Sequence, residues 1–379
     1  MSRDGSPVKT VLYVQTGAAI SGAERSLLAM LQALDRTQWR PVVAAPAGAL
    51  LDAVARAGVQ TVSVPLATLA RPRRLAQYYA GWQAWRAGCR ALDQVVQALA
   101  PSLIHANTTS AMLYTGTSLP SIWQVRDLTP LGPLGARLYR RATRVAAISS
   151  AVHDDLLRYA QDGGEKITLL PPAVDTARFH PQDDRASARE MLGLPADGPL
   201  LGLVAQFVPW KRHDLFLDAL SLLADQPWQA VLAGADLHHA AGYLAALREH
   251  ASRAPLAGRV HFLPWQNDPS LLLGALDLCV LTSRREPFGR VLIEAMACGV
   301  PTLAVDEGGV RDIVIPEETG VLCPADPPAL AAALSRLLAD APWCARLGSA
   351  GQARAQAHFS LAQQTRALSL LYADVLSCH

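Results

Sequence analysis

The sequence predicts an α/β protein built on two doubly wound parallel sheets. Three observations carry this reading. Short apolar runs alternate with helical stretches along almost all of the 379 residues, the pattern of strands joined by crossover helices. That length exceeds what one core usually holds and fits two domains. The alternation breaks once, in the stretch 171–199 rich in Pro, Asp and Gly, and then restarts.

In the first half, residues 8–15 read as a buried strand, followed by a loop of small residues at 16–22 and a helix over 23–34. Strands at 41–45 and 59–64 flank a helix over 50–57. A helix over 74–100, a strand at 103–107, a helix over 109–117 and a strand at 121–125 continue the series. A short strand at 144–148 leads into a helix that starts near 150. The second half opens with a strand at 200–205 and a helix over 214–224. Strands at 229–233, 260–263, 278–281 and 302–305 follow, with helices over 243–252, 269–275 and 328–339. A last helix over 360–376 presents Leu361, Leu368, Leu371, Tyr372 and Val375. The expected domains are therefore 1–175 and 176–359, with 360–379 as a closing helix. Two such domains facing one another put strand C-terminal ends on both sides of a cleft, where open α/β sheets bind ligands.

Composition bounds the function classes. Apolar residues make up 51% and charged residues 17%, a globular balance that excludes disordered and fibrous classes. No apolar run approaches the length that spans a bilayer. Residues 1–10 are polar and lack a signal-peptide core. The cysteines at 89, 279, 298, 323, 344 and 378 show neither a CxxC pair nor a metal spacing, so reduced thiols in a cytoplasmic protein are expected. Net charge is +2 but unevenly divided: residues 1–180 carry 19 Lys+Arg against 11 Asp+Glu, and residues 181–379 carry 15 against 21. A basic first half suits an anionic membrane or a phosphate-bearing acceptor, although a solvated surface produces the same asymmetry.

The most informative stretch runs from Glu286 to Glu294, two carboxylates eight positions apart with Phe288 and Gly289 between them. Gly299 and Pro301 punctuate a helix end, and Val291, Leu292, Ala295, Met296 and Cys298 suit a packed helix. Glu286 then sits in the loop before that helix and Glu294 a turn inside it. The helix N-terminus around Phe288, Gly289 and Arg290 offers backbone N–H groups and the positive end of a dipole to an anion such as a diphosphate. The flanking carboxylates accept hydrogen bonds from hydroxyls. A diphosphate flanked by hydroxyl-bearing groups describes a nucleotide sugar. The plain alternative is a surface helix with two solvated glutamates.

From Glu286 to Pro301 the string closely resembles the E-P-F-G-x-x-x-x-E-A-M-A-C-G-x-P signature of the retaining glycosyltransferases of family 4. The resemblance implies the GT-B fold, two Rossmann-like domains facing a cleft, with the last helix crossing back to the first domain. It implies an E-x7-E pair in which Glu286 meets the transferred sugar and Glu294 the ribose. Lys211 fits the position of a lysine on the donor diphosphate. The family's partner arginine aligns with Gln206, which brings no charge, and Arg212 is the nearest substitute. Pro264 and Ser283 fall where relatives contact the base and the loop. Ser21, Gly22, Ala23, Glu24 and Arg25 resemble the family's G-G-A-E-R loop beside the diphosphate and acceptor. His105 and Asn107 align with a His-x-His pair near the sugar, with Asn107 replacing the second histidine. Arg126 is placed to meet an acidic acceptor or to pair internally. The glycines of Asp306-Glu307-Gly308-Gly309 form either an anion nest or a turn.

The resemblance further implies metal-free chemistry with no resident cofactor, the donor being a UDP-sugar or GDP-sugar. No DxD motif is present, in agreement. The arginines at 71, 73, 74, 137, 140, 141 and 144 point to a lipid-linked or polysaccharide acceptor at the membrane surface, hence to cell-surface polysaccharide or glycolipid assembly by a cytoplasmic protein peripheral to the inner face of the membrane. No nucleic-acid partner is expected, and the protein is expected as a monomer or weak dimer. Rival readings are a nucleotide-sugar epimerase or a glycan phosphorylase on the same fold, a non-catalytic sugar-nucleotide-binding partner, and a dinucleotide oxidoreductase. The last lacks its G-x-G-x-x-G after the first strand of either half.

Overall fold

The computed structural model describes residues 7–68, 75–116, 119–236 and 242–378. The chain divides into two units, one formed by Met1–Ala173 with Leu361–His379 and the other by Val174–Ser360.

Unit 1 holds strands β1 (Lys9–Val14), β2 (Trp39–Ala45), β3 (Gln60–Ser63), β4 (Leu103–Ala106), β5 (Ser121–Val125), β6 (Arg144–Ala147) and β7 (Ile167–Leu169). Its helices are α1 (Gly22–Ala33), α2 (Ala49–Arg56), α3 (Leu75–Leu99), α4 (Thr109–Met112), α5 (Pro133–Arg141) and α6 (Ser150–Leu157). The sheet order is β3-β2-β1-β4-β5-β6-β7, and the pairings are parallel. Tyr13 pairs with Val43 on one side and His105 on the other. The winding therefore reverses between β1 and β4, which makes their C-terminal ends the switch point of this sheet.

Unit 2 repeats the plan. Helix α7 (Arg185–Met191) precedes β8 (Leu200–Val204), α8 (His213–Ser221), β9 (Gln229–Ala233), α9 (Tyr243–Ala251), β10 (Val260–Leu263) and α10 (Ser270–Ala275). Then come β11 (Leu278–Leu281), α11 (Arg290–Ala297), β12 (Thr302–Val305), β13 (Val321–Cys323), α12 (Pro327–Ala339) and α13 (Ala341–His358). The order β10-β9-β8-β11-β12-β13 places its switch point between β8 and β11. A final helix, α14 (Leu361–Ser377), belongs to unit 1. It buries Leu368, Leu371, Tyr372 and Val375, spaced for one helical face, in the core that also holds Val11, Tyr13, Leu27 and Trp39.

Several elements depart from the sequence reading. The helix expected over 109–117 stops at Met112; beyond it the Tyr114 hydroxyl donates to the Ala67 carbonyl at 3.0 Å. Strands β7 and β13 are three-residue edges, too short for a periodicity signal. Helix α13, in a stretch given no element by the sequence reading, carries Gly348 and Gly351. Both mark close packing: a Cβ on Gly348 would lie 2.3 Å from the Gly299 carbonyl oxygen, and one on Gly351 3.1 Å from Met296. Arg71, Arg73 and Arg74, part of the expected basic surface, lie outside the described residues.

Candidate functional site

At the switch point of unit 2 the segments after β8 and β11 are tied together. The Thr282 hydroxyl, just past β11, reaches the carbonyls of Lys211 and Arg212, both at 2.8 Å. The Arg284 amide donates to the Trp210 carbonyl at 2.7 Å. This brings the Lys211 ammonium onto the Glu286 carboxylate at 2.7 Å, with side chains only 14% and 9% exposed. The same ammonium sits 4.1 Å from the centroid of the exposed Trp210 ring. Ser283, fully buried between these contacts, leaves its hydroxyl without a hydrogen-bond partner.

The segment after β12 joins them. Glu307 accepts from the Arg212 guanidinium at 2.8 Å and from the Arg285 amide at 3.0 Å. Partial burial opposes ionisation of Glu307, but these two donors outweigh it and hold its carboxyl below the ordinary range. Arg212 and Arg285 both adopt the left-handed region, with φ of 50° and 47°, a conformation uncommon for any residue with a side chain. Gly308 has φ 83°, and a Cβ there would lie 2.1 Å from the Glu286 carbonyl oxygen. Only glycine permits that approach, and the next amide, of Gly309, donates to the same carbonyl at 2.8 Å. The pair of glycines read from sequence as nest or turn thus supports the backbone of Glu286.

Helix α11 starts from Gly289, whose φ of 103° turns the chain into its first residue. Glu294 is buried and pairs with Arg290 at 2.8 Å, one turn away on the same helix. The remaining expected donor residues are dispersed. Gln206 is half-buried just after β8. Pro264 is exposed after the edge strand β10. The Phe288 side chain is buried and packs edge-on against Phe359, with centroids 5.8 Å apart, which leaves its backbone, the part that the sequence reading offers to an anion.

Unit 1 gathers a second polar network at its own switch point. Asn107, just past β4, donates to the Gln15 side chain at 3.1 Å, just past β1. Gln15 in turn donates to Glu24, whose carboxylate also accepts from the Ser21 amide at 2.9 Å and so closes the first turn of α1. Arg126 donates to the Asn107 side chain at 2.6 Å, to the Asn107 carbonyl at 2.9 Å and to Gln124 at 2.8 Å. It pairs internally, with the amide side chains of Asn107 and Gln124. His105 requires a correction as a catalytic candidate. It is fully buried, stacked on Tyr13, and its ring nitrogens lie 2.9 Å from the Tyr372 hydroxyl and 3.1 Å from Gln124. Burial, helped by the nearby Arg126 charge, pushes its pKa down to about 3, so it is a neutral core residue. Asn107 is likewise fully buried. Gly22 is exposed with open space where a Cβ would lie. The tight glycine of that loop is Gly17, whose Cβ would come 2.3 Å from Glu24.

Sequence reasoning passed over Glu307 as a side chain, together with Thr282, Gln15 and Gln124. Glu307 meets Arg212 across 95 positions, Thr282 meets Lys211 across 71 and Gln15 meets Asn107 across 92, separations that no local spacing announces. Among the described residues no group of three or more His, Cys, Asp or Glu side chains is arranged to hold a metal ion.

Comparison with known proteins falls on both units. Residues 184–354 match the family model described as glycosyl transferases group 1. Residues 20–178 match that of glycosyltransferase family 4. The lipopolysaccharide core biosynthesis mannosyltransferase LpsB of Rhizobium meliloti (strain 1021) is 33% identical over 214 residues, which is 55% of this chain and 61% of that protein. A D-inositol 3-phosphate glycosyltransferase of Jonesia denitrificans is 34% identical over 194 residues, 48% of this chain and 45% of that protein. The chain thus spans about half of the length of such curated relatives. The crystal structure of Anabaena Alr3699/HepE in complex with UDP and glucose superposes with a TM-score of 0.80 at 25% identity, covering 96% of this chain and 99% of that one. The two parallel-sheet units are those of the GT-B fold.

Proposed function

We propose that this chain, which carries the two domains of a GT-B glycosyltransferase, moves a hexosyl group from a UDP- or GDP-linked sugar to a hydroxyl acceptor with retention of configuration. The observation that carries the reading is the Lys211–Glu286 pair at the switch point of unit 2, with the N-terminus of α11 next in the chain. A diphosphate is the anion such a place takes: Lys211 leaves its carboxylate partner for the phosphates, and the first turn of α11 adds its dipole. Glu286, released from Lys211, accepts hydrogen bonds from hydroxyls of the transferred sugar. Glu294 holds ribose hydroxyls. The Lys211 charge and the α11 dipole that stabilise the leaving diphosphate both come from the chain, so the proposed reaction draws on neither a metal nor a resident cofactor. The leaving phosphate oxygen takes the acceptor proton, and attack on the face that it vacates gives retention.

Two similar proteins support the donor side: a mannosyltransferase, and a protein whose crystal structure holds UDP and glucose. For the acceptor side the reading relies on the excess of basic residues in the first half of the chain. It assigns a lipid-linked or polysaccharide acceptor, met by a monomer or weak dimer at the inner membrane face. No helix among the described residues is long and apolar enough to cross a membrane.

The test is a thermal-unfolding panel of UDP, GDP, ADP and CMP with their common sugars, on wild type, Lys211→Ala and Glu294→Ala. A ligand bound only to the native state at a hundred times its Kd adds about 2.7 kcal/mol, a rise of about 5–10 °C for a unit of this size. One nucleotide is expected to stabilise wild type and neither variant. If no nucleotide stabilises wild type, the donor site is lost as a reading. If one binds but its sugar is never transferred to any acceptor, the chain is a binding partner and not a transferase.

A further inference from the structure

Helix α3 is held by one face. The Trp85 indole donates to the Leu113 carbonyl at 3.2 Å, Leu92 is buried, and a Cβ on Gly88 would come within 2.6 Å of the Tyr114 ring. Positions 85, 88 and 92 form one helical stripe. The opposite stripe carries Tyr79, Trp82, Arg86 and Arg90. Tyr79 and Trp82 are 63% and 48% exposed and stack with centroids 6.2 Å apart. The Arg86 guanidinium lies 4.7 Å over the Trp82 ring, and Arg90 is exposed one turn further on.

The sequence that leads into and through this stripe is one-sided in charge. From residue 53 to residue 92 the sequence contains no Asp or Glu but has arginines at 56, 71, 73, 74, 86 and 90. The first carboxylate after this run is the exposed Asp93, at the far end of the stripe. Two large aromatics left in water beside guanidinium groups suit a boundary that is apolar on one side and anionic on the other. Tyr and Trp rings sit at the headgroup level of a bilayer. Each arginine near an anionic leaflet adds about 1 kcal/mol.

We propose that the Tyr79–Trp82–Arg86–Arg90 face of α3 docks this protein on an anionic lipid bilayer. The proposal rests on the membrane part of the proposed function and gives it a surface. Binding through one such face is reversible and weakens as salt screens the arginines.

The test is co-sedimentation of the full chain with phosphatidylcholine vesicles, with and without phosphatidylglycerol, at low and high salt. Wild type is expected on the phosphatidylglycerol vesicles at low salt and free at high salt. The double variants Tyr79→Ser/Trp82→Ser and Arg86→Gln/Arg90→Gln each bind about tenfold weaker or worse, with an unchanged thermal response to nucleotide as the control for folding. If both variants sediment like wild type, α3 is not the docking face, although the membrane reading stands. If wild type ignores the anionic vesicles at low salt, the membrane reading and the docking face fall together, and the nucleotide panel judges the donor site separately. If the aromatic variant instead dissolves a dimer seen in sedimentation velocity and keeps its vesicle binding, the face belongs to a second copy and the proposal is overturned.

Discussion

At the scale of single residues, Lys211 and Glu286 do two things that a single substitution would confuse. Their pair lets a carboxylate stay buried, and it positions an ammonium at the switch point of unit 2. Removing one member of a mostly buried ion pair leaves the other uncompensated, at a cost of about 3 kcal/mol. Removing both charges avoids that penalty. Lys211→Met is therefore expected to lower the urea midpoint of unit 2 strongly, and Lys211→Met/Glu286→Gln to recover at least half of the loss. Nucleotide binding should return in neither, because the double variant has no cation for the diphosphate. A double variant that is no more stable than Lys211→Met would show that the two side chains do not depend on one another. Glu286 and Glu294 were legible in the sequence because they stand in a local string whose punctuation fixes their place relative to a helix, whereas Lys211 was legible only through the family resemblance of its loop. Arg212 was legible only as a nearby cation. Its partner Glu307 lies 95 positions away, and only the order of the strands brings the two together.

At the scale of elements, the alternation of strands and helices was legible because buried parallel strands and the helices between them differ in period and in length. What it could not give is which face a strand-end residue presents. His105 and Asn107 stand at the C-terminal end of a strand beside the switch point, where a ligand-binding side chain is expected, yet both point into the packed interior. The reason for His105 is α14, whose Tyr372 hydroxyl lies 2.6 Å from the Tyr13 hydroxyl and 2.9 Å from the His105 ring. Tyr372 follows 267 positions after His105, out of reach of local pattern reading. Tyr372→Phe keeps the ring and removes both contacts, leaving buried polar atoms unpaired at about 1–3 kcal/mol each. The variant is expected to lower the stability of unit 1 by about 2–6 kcal/mol while the nucleotide response of unit 2 stays as in wild type. A loss of nucleotide response equal to the loss of stability would place α14 in the binding machinery and not only in the core.

At the scale of the whole molecule, each unit buries one histidine that it cannot protonate without cost. His105 lies in unit 1, and His213 lies in unit 2 between the rings of Phe207 and Tyr243. Burial pushes each from 6.5 down to about 3; Arg126 adds to the effect at His105, and Lys211 adds to it at His213. The unfolded chain then takes up a proton near pH 6.5 that the folded chain refuses until about pH 3. Between those values the unfolded state holds more protons, so stability falls as pH falls; above them both states are neutral and nothing is lost. Inside the window each histidine contributes a slope of about 1.4 kcal/mol per pH unit. Most carboxylates titrate lower, so melting between pH 7 and pH 5.5 reads the histidines: these two rings and, in unit 2, His261, whose pKa burial also lowers. Both transitions are expected to drop across that interval. His105→Gln should flatten the dependence of unit 1 alone, and His213→Gln should reduce that of unit 2 alone, leaving the part that His261 contributes, whatever either change does to absolute stability. The slope and not the midpoint is the readout, since glutamine packs differently but cannot titrate. A variant that keeps the wild-type slope would mean that its histidine is already able to protonate in the folded chain, and the assignment of that ring to a sealed core would have to be given up.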